Sequence, residues 1–558
     1  MAAHFKETAP TADSSLQIYI PPLRSPGMRL LLFVATLAAS CIVAAGLSLI
    51  VNVALNGGEH GWFNRFWFAF FAVSGFVAGS FALNRDWFVT RPENLYLIVV
   101  LCVTMLFSWT ISVRQVAWDV GTHYKNVLTF ADWEGEVELS TADHALVYTA
   151  PVDVEAEGLL AQIDESEDVL DASSTDVAEV KERSKNPVWY VTSIEYVPYA
   201  LAMKACKLLG VSFTHTLVAV RMAGALFYSL VTYFGMRKLR QRKMLYAALA
   251  LLPTSVFLAA DLSYSYWLFS LCLYGFASLL GMLQGSVRVN AWSLIRMLGA
   301  LFLGMLPRVV YFPLMFLCLL IPVERFPSER YARVYRTLLV GAALAAFGVW
   351  LVPRLIAGFG AGDTRGGEVS PSGQIAYIIS HPGEYVSTFV RFSLPPLAME
   401  GGAPDKEGVN LVSGFLSVEA SPGLLMNYGY LPRPHMAYTV VMWVVLVWTA
   451  LTDKDHRLKM GFLPGLLALV LTFAVYVMIV TALYIDFTPV GLAEIHGVQR
   501  RYLIPLMFPL LAFVGPRVFG VSARGGITAQ MVYNATVLVS LAAVLLCSWW
   551  TTYLVLMA

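Results

Sequence analysis

The sequence predicts an all-α polytopic membrane protein, and three observations support that prediction. Of the 558 residues, 58% are hydrophobic and only 13% are charged, which is more apolar surface than a soluble core of this length needs. The apolar residues fall in runs long enough to cross a bilayer, which takes about 20 helical residues. The formal net charge is only +1, so the chain lacks the basic balance that phosphate-backbone binding requires, and we expect no nucleic-acid partner.

Apolar runs of spanning length follow one another along the whole chain. Together they predict about thirteen transmembrane helices in contact with the lipid bilayer. The first run, about 30–53, is too long for a signal-peptide core and has no small-residue cleavage site, so we expect a retained helix. The runs begin near Leu30, Phe66, Leu95, Leu217, Met244, Tyr266, Leu338, Ala437, Phe462, Leu503 and Met531, with a shorter interrupted pair near Leu298 and Val309.

Short loops rich in Lys and Arg indicate which ends of these helices face the cytoplasm. Such loops occur at 237–243, 325–336 and 454–459, and positive residues concentrate on the cytoplasmic side of a membrane. Counting passes from them predicts a cytoplasmic N-terminus and an extracytoplasmic C-terminus in a multi-pass protein of the cell membrane. The predicted regions are a cytoplasmic tail 1–28, N-terminal transmembrane segments 29–113, a first extracytoplasmic loop 114–195, a central transmembrane region 196–357, a second extracytoplasmic loop 358–434 and a C-terminal transmembrane region 435–558. We expect the two long extracytoplasmic loops to contain short interfacial helices.

Three local patterns refine this plan. The first outer loop carries an acid-rich stretch, 152–182, which is typical of a solvated insertion rather than of a cation site. Residues 196–209 are amphipathic and predict a short interfacial helix before the next membrane pass. Two prolines and Arg308 interrupt the apolar run at 306–313, and broken backbone at membrane depth is tolerated only beside protein or a water-filled cavity.

An acid and an imidazole open the first outer loop. Asp119 and His123 are four residues apart, so in a helix both side chains would point to one cavity. Such a pair at the mouth of a membrane domain suggests a reaction centre. The alternative is structural: Asp119 caps a helix or forms a surface ion pair beside a membrane pass.

Three separated segments carry recognisable motifs. Residues 485–491 with 495–505 resemble the pattern "TPVG…I-x-GVQGRY-x-x-P", 251–264 resemble "LLP…SYD", and 308–313 resemble "K-P-x-Y-x-P". These patterns are the signature segments of domain-of-unknown-function family 2142, which the chain therefore resembles. Asp119 and His123 match the acid and histidine of a further "P-D-E-x-x-H" motif, so the resemblance covers about 115–515. The chain departs from the pattern in having Arg500 for glycine, Val120 for glutamate and Ser265 for aspartate.

That family is grouped by similarity with the GT-C membrane glycosyltransferases. The resemblance therefore implies GT-C-like architecture and an inverting enzyme that transfers a sugar from a polyprenyl-phosphate carrier. The acceptor would be an extracytoplasmic glycan, glycolipid or protein of the cell envelope. The membrane implied by such an acceptor is a bacterial plasma membrane. The competing hypotheses are a flippase or transporter for a lipid-linked glycan and a non-catalytic scaffold in envelope assembly.

The residues can be assigned to such a transfer by their chemistry. Asp119 is the candidate base for the acceptor hydroxyl, and His123 would orient it, bind the donor phosphate or hold a divalent cation such as Mg²⁺ or Mn²⁺. The candidates for binding the donor phosphate are Arg501, Arg308 and Arg500, although the arginines could instead be interfacial anchors. The candidates for substrate binding are Asp261, Gln499, Tyr502 and Tyr430. The six cysteines lie in or beside apolar runs and are expected to be reduced packing residues.

Overall fold

Helices dominate the structure, as predicted. The computed structural model describes residues 25–56, 64–110, 117–131, 136–148, 171–173, 177–182, 191, 193–357, 368–393, 436–453, 462–513 and 527–545. The α-helices are Pro26–Asn56, Arg65–Leu83, Arg85–Thr90, Pro92–Thr110, Val120–Ala131, Thr141–Tyr148, Val197–Leu208, Phe213–Met236, Lys243–Ala250, Pro253–Ala260, Ser265–Gln284, Ala291–Met305, Glu329–Ala357, Pro371–Ser380, Pro382–Ser393, Met436–Thr452, Phe462–Phe487, Ile504–Phe513 and Ile527–Leu545. Segments of 3₁₀ helix occur at Ile194–Tyr196, Val309–Leu320, Val323–Arg325 and Arg500–Leu503.

In the described parts of the chain, fewer helices reach spanning length than the roughly thirteen passes that the sequence predicts. Within the described residues, five helices are long and apolar enough to cross a membrane, or six if the bent pair Lys243–Ala250 and Pro253–Ala260 is one span. The five are Pro26–Ala54, Pro92–Thr110, Phe213–Met236, Ser265–Gln284 and Leu463–Phe487. Four other predicted passes correspond to shorter apolar helices: Trp67–Leu83, Ala291–Met305, Val309–Leu320 and Val440–Thr452. The total of about thirteen passes, the GT-C-like architecture and the orientation of the termini stay predictions.

The first long connection contains one feature that the helical prediction missed. Strand Glu136–Ser140 pairs antiparallel with Val177–Glu182, with a register shift near Ser140. Most of the acid-rich stretch 152–182 and nearly all of the tail 1–28 lie outside the described residues. The second connection holds the helices Pro371–Ser380 and Pro382–Ser393, in agreement with the short helices expected there.

The helix and the helix break that the other two local patterns predict are both present, while the interfacial position of the helix stays a prediction. Helix Val197–Leu208 follows a 3₁₀ turn, and it leaves Leu201 and Leu208 exposed, as an interfacial helix would. Helix Ala291–Met305 ends before Pro307, and a 3₁₀ segment that contains Pro313 continues the chain. Proline lacks the N–H that an α-helix needs, so the break follows from the two prolines.

Small residues bring two central helices together. A Cβ atom at Gly275 would lie 2.5 Å from Cδ2 of Leu301, and one at Gly304 would lie 2.7 Å from Cβ of Leu271. Each helix of the pair Ser265–Gln284 and Ala291–Met305 therefore presents a glycine to a leucine of the other. Close approach at small residues is the usual way that helices pack in membranes, where lipid gives little hydrophobic drive for their association.

A buried aspartate ties three distant segments together. The Asp453 carboxylate accepts hydrogen bonds from the backbone N–H groups of Arg242 (2.9 Å), Met244 (2.7 Å) and Leu245 (3.1 Å), and from the Tyr533 hydroxyl (2.8 Å). It thus satisfies the first N–H groups of helix Lys243–Ala250, which have no partner within that helix. Arg242 adopts a left-handed backbone conformation (φ 72°) at this junction.

Helix Ser265–Gln284 separates two polar ends of the molecule. Its 20 residues give a length of about 30 Å, roughly the thickness of the hydrocarbon core. Tyr264 precedes it at one end, beside the polar cluster described below. Gly285 ends it with a left-handed residue (φ 75°), and there the Arg325 guanidinium donates to the Leu283 carbonyl.

Candidate functional site

The segment that carries Asp119 is held from behind by a buried ion pair. Asp261 and Arg221 both have fully buried side chains, and Oδ1 of the first lies 2.9 Å from Nε of the second. Oδ2 of Asp261 accepts a hydrogen bond of 3.3 Å from the backbone N–H of Ala117. Asp261 therefore positions the chain two residues before Asp119, whereas the sequence suggested that it binds substrate. Its burial and its existing bonds favour the positioning role.

Asp119 itself has an unusual backbone. Its φ is +63°, in the left-handed region, which aspartate tolerates better than most residues with a side chain. Its carbonyl accepts a 2.9 Å hydrogen bond from the N–H of His123, so Asp119 precedes helix Val120–Ala131 in the position of an N-cap. The backbone of Asp119 therefore lies where the structural alternative places it, and its carboxylate has a further contact.

That contact is with Arg501, which lies 382 residues later in the chain. Nη2 of Arg501 is 3.4 Å from Oδ2 of Asp119, which is long for a charge-assisted hydrogen bond. The guanidinium is only 2% exposed and lies between the rings of Trp118 (4.9 Å) and Tyr502 (5.5 Å). Its Nε and Nη1 have no hydrogen-bond partner among the residues that the structure describes. A buried guanidinium with two unused N–H donors can form hydrogen bonds to an anionic ligand.

Asp119 and Arg501 form a polar cluster with His123, Glu195, Arg308 and Tyr264. The His123 imidazole is neutral. Its Nδ1 lies 2.7 Å from the Tyr196 hydroxyl, which also accepts a 3.1 Å hydrogen bond from the Asn126 amide. Because that hydroxyl is already an acceptor, the arrangement favours donation of its hydrogen to Nδ1 and leaves the imidazole proton on Nε2. Nε2 has no partner in the described part of the chain. Burial lowers the pKa of His123 to about 3; the Asp119 charge opposes this shift, and the charges of Arg501 and Arg308 add to it.

Arg308 approaches from the broken segment. Its Cζ atom lies 4.2 Å from the centre of the Tyr264 ring, and Nη1 donates a 3.0 Å hydrogen bond to the Pro307 carbonyl. The guanidinium is exposed rather than buried. The His123 ring meets the same tyrosine edge to face, with centroids 5.7 Å apart. The structure therefore brings the predicted arginine and histidine to one aromatic ring.

Sequence reasoning missed one acid in this cluster, Glu195. Its side chain is 4% exposed, and its Oε2 has no hydrogen-bond partner among the described residues. Burial raises the pKa of Glu195 to about 8, although a backbone hydrogen bond and the Arg308 charge partly offset the shift. The carboxyl is therefore mostly protonated at neutral pH. The sequence feature that could have indicated Glu195 is its position directly before the amphipathic stretch 196–209, away from the acid-rich stretch 152–182.

The structure treats the four remaining predicted residues differently. Gln499 comes just before the two arginines in the chain and has a buried Oε1 without a hydrogen-bond partner in the described ranges. The Tyr502 carbonyl accepts a 2.8 Å hydrogen bond from Tyr311, which ties the arginine turn to the broken segment. Arg500 is buried next to Arg501. Tyr430 lies outside the described residues.

The metal prediction can be compared only with the described side chains. Among them there is no group of three or more His, Cys, Asp or Glu residues that could hold a metal ion. Asp119 and His123 are the acid and imidazole pair of the cluster. The divalent cation stays a prediction.

Together the fold and the cluster define a polytopic membrane protein in which four distant segments bring two acids, an imidazole and two arginines to one end of the helices. The chain belongs to the DUF2142 family of predicted membrane proteins, whose family model matches residues 160–510. No curated protein and no solved structure matches the chain. The match includes Arg308 and Arg501 but begins after Asp119 and His123, whereas the resemblance was expected to start near residue 115.

Proposed function

We propose that the protein is an inverting membrane glycosyltransferase that moves a sugar from a polyprenyl-phosphate carrier to a hydroxyl group of a cell-envelope acceptor. The observation that supports this proposal best is Arg501, a buried guanidinium with two donors that no described residue accepts. A planar fork of donors suits a phosphate oxygen pair. The leaving group of such a transfer is a phosphate whose negative charge grows in the transition state.

In the proposed reaction the acceptor oxygen attacks the anomeric carbon from the face opposite the phosphate. A bond from that oxygen to the anomeric carbon forms, while the bond from the carbon to the phosphate oxygen breaks. The acceptor proton passes to the Asp119 carboxylate, and the bonding electrons leave with the polyprenyl phosphate, whose charge Arg501 and Arg308 stabilise. The loose 3.4 Å contact between Asp119 and Arg501 suits this exchange, because a phosphate can take the arginine and release the carboxylate.

The neutral groups of the cluster would bind rather than exchange protons. A neutral His123 with its proton on Nε2 is a hydrogen-bond donor without charge, suited to a sugar hydroxyl or a phosphate oxygen. A protonated Glu195 could also donate a hydrogen bond from the buried side of the cluster. Neither residue would then weaken the attraction between the arginines and the phosphate.

The test replaces Asp119 by Asn. Asparagine tolerates the left-handed conformation of residue 119 as well as aspartate does and has nearly the same shape, so the substitution removes the base with little change to the backbone. We expect Asp119→Asn to abolish sugar incorporation, with an unchanged amount of protein in the membrane. The matched control is Glu494→Gln, which removes a carboxylate with a 57% exposed side chain from the connection before Arg501.

The assay uses purified protein in vesicles with a radiolabelled polyprenyl-phosphate sugar and cell-envelope extract as acceptor. Transfer of label by the wild type and by Glu494→Gln, but not by Asp119→Asn, supports the enzyme. Unchanged incorporation by Asp119→Asn refutes the catalytic assignment. Label that crosses the bilayer still attached to its carrier would support a flippase instead. If the wild type neither transfers the label nor moves it across the bilayer, the scaffold hypothesis remains.

A further inference from the structure

A cationic cavity lies at the end of the molecule opposite Asp119. It has a volume of about 310 Å³, and its lining includes the side chains of Arg237, Lys238, Arg288 and Arg296. The cavity lies between the end of helix Phe213–Met236 and the start of helix Ala291–Met305, in the part of the chain that the distribution of Lys and Arg places on the cytoplasmic side.

The charges of this cavity are not neutralised within the described residues. The lining contains no Asp or Glu, and none of the four cations forms an ion pair with a described carboxylate. Burial lowers the pKa of Lys238, and the nearby charges of Arg296 and Arg237 lower it further. Four cations held together without a counter-charge raise one another's free energy, so an anion in the cavity would stabilise all of them.

The polar lining also favours an anion. Asn290 and Ser293 form a reciprocal cap at the start of helix Ala291–Met305, which has no acid in its first turn. Both residues line the cavity, so the positive end of that helix dipole lies at its wall. The Ser286 hydroxyl, which also lines the cavity, donates a 2.6 Å hydrogen bond to the Lys238 carbonyl and thus fixes the loop that carries the lysine.

The surface next to the cavity is apolar and exposed. On helix Ala291–Met305, Trp292 is 71% exposed and Ile295 is 59% exposed, and Leu303 continues the same surface towards the membrane interior. Tryptophan is enriched where a membrane meets water, at the level of the lipid headgroups. A molecule that filled the cavity with an anionic group could therefore lay hydrocarbon chains along this helix.

We propose that the cavity binds the phosphate headgroup of an anionic phospholipid of the cytoplasmic leaflet, with the acyl chains against Trp292 and Ile295. Basic pockets between transmembrane helices on the cytoplasmic side are suited to such headgroups, and each nearby cation strengthens the attraction. The proposal concerns a site about one bilayer thickness from Asp119 and does not depend on the reaction proposed there.

The test counts bound lipid on the full-length protein by native mass spectrometry. The purified protein is titrated with phosphatidylglycerol, with phosphatidylcholine of the same acyl chains, and with phosphatidylglycerol in the presence of excess inorganic phosphate. We expect one tightly held phosphatidylglycerol, no equivalent phosphatidylcholine, and no displacement by phosphate. The double variant Arg288→Gln/Arg296→Gln should bind phosphatidylglycerol about 10- to 30-fold more weakly, because the single negative charge of the headgroup loses two of the four cations that line the cavity.

The control is a second double variant, which removes two other positive charges from the same end of the molecule. Arg85 and Arg91 are exposed beside helix Pro92–Thr110, whose Glu93 lies 2.9 Å from Lys243 of the basic loop. Arg85→Gln/Arg91→Gln should leave lipid binding unchanged. Equal weakening in both double variants would mean that only general surface charge attracts the lipid, and displacement by phosphate would make free phosphate the ligand; either result overturns the proposal. The single variant Arg288→Gln, at an exposed side chain, provides the same comparison if the double variant does not fold.

Discussion

Replacing Glu195 by Gln should stabilise the protein at alkaline pH and change it little at acid pH. The folded state raises the pKa of this carboxyl from its ordinary value of 4.5 to about 8, chiefly because the side chain is buried. Below about pH 4.5 the group is protonated in both the folded and the unfolded protein, so its contribution to stability is fully present. As the pH rises towards 8, the unfolded protein gives up the proton and the folded protein keeps it, so the free energy of unfolding falls.

The size of the effect follows from the two pKa values. Each pH unit between them corresponds to about 1.4 kcal/mol, so the whole interval gives on the order of 5 kcal/mol. Relaxation of the folded protein and entry of water reduce that figure, and about 2–3 kcal/mol is a reasonable expectation. Glutamine has nearly the same shape and no charge, so the variant should lack this loss.

The measurement is the thermal unfolding midpoint of the wild type and of Glu195→Gln in one detergent at pH 5, 7 and 9. The two midpoints should nearly coincide at pH 5, and the wild type should lie several degrees lower at pH 9. In the variant Arg308→Gln, the thermal midpoint should fall more steeply with rising pH than in the wild type. The reason is that the Arg308 charge is one of the factors that keep the pKa of Glu195 from rising further. Parallel midpoints for the wild type and Glu195→Gln from pH 5 to pH 9 would refute the assignment of a buried, protonated carboxyl.

Three further predictions use other parts of the structure. Burial keeps the pKa of His123 at about 3, so wild-type stability should fall as the pH drops from about 6.5 towards 3, and thermal midpoints of His123→Gln should lack that acid loss. Arg501→Lys keeps the charge but loses the donor fork, so sugar incorporation in the vesicle assay should fall by about 100-fold at an unchanged protein level; near wild-type transfer would argue against a bidentate phosphate contact. Asp453→Asn places an amide against the N–H groups of Arg242, Met244 and Leu245, and should cost roughly 2–4 kcal/mol, seen as a lower thermal midpoint at every pH; an unchanged midpoint would mean that this junction contributes little.

Composition and hydropathy were sufficient to predict the class of protein, but the number of passes depends on geometry that they do not contain. The apolar run at 244–260 reads as one pass, yet Pro253 divides it into two helices bent by 53°. The run at 309–320 is apolar throughout and still forms a 3₁₀ segment, which Pro307 and Pro313 impose. The prolines at 306–313 therefore indicated one break from sequence alone, whereas the bend at Pro253 was counted within a single pass. The depth of each segment depends on packing against its neighbours.

The composition of the cluster could be predicted in part, for a similar reason. Asp119, His123, Arg308 and Arg501 were each conspicuous as polar residues at the edge of an apolar run, and the structure brings them together. Glu195 was not conspicuous, because the first outer loop contains many acids and only the fold distinguishes the one that is buried. Burial and unused hydrogen-bond capacity are tertiary properties, and no local pattern of residues encodes them.

The position of the Asp119 carboxylate depends on contacts from three distant parts of the chain. A left-handed backbone at a residue with a side chain costs about 1–2 kcal/mol, so it persists only where its surroundings impose it. Here Asp261, fixed by Arg221, holds the preceding backbone, and Arg501 contacts the carboxylate from the other side. Asp119 is thus a single acid with an ion pair behind the preceding backbone and an arginine at its carboxylate, and these contacts give the carboxylate a defined direction towards the cluster.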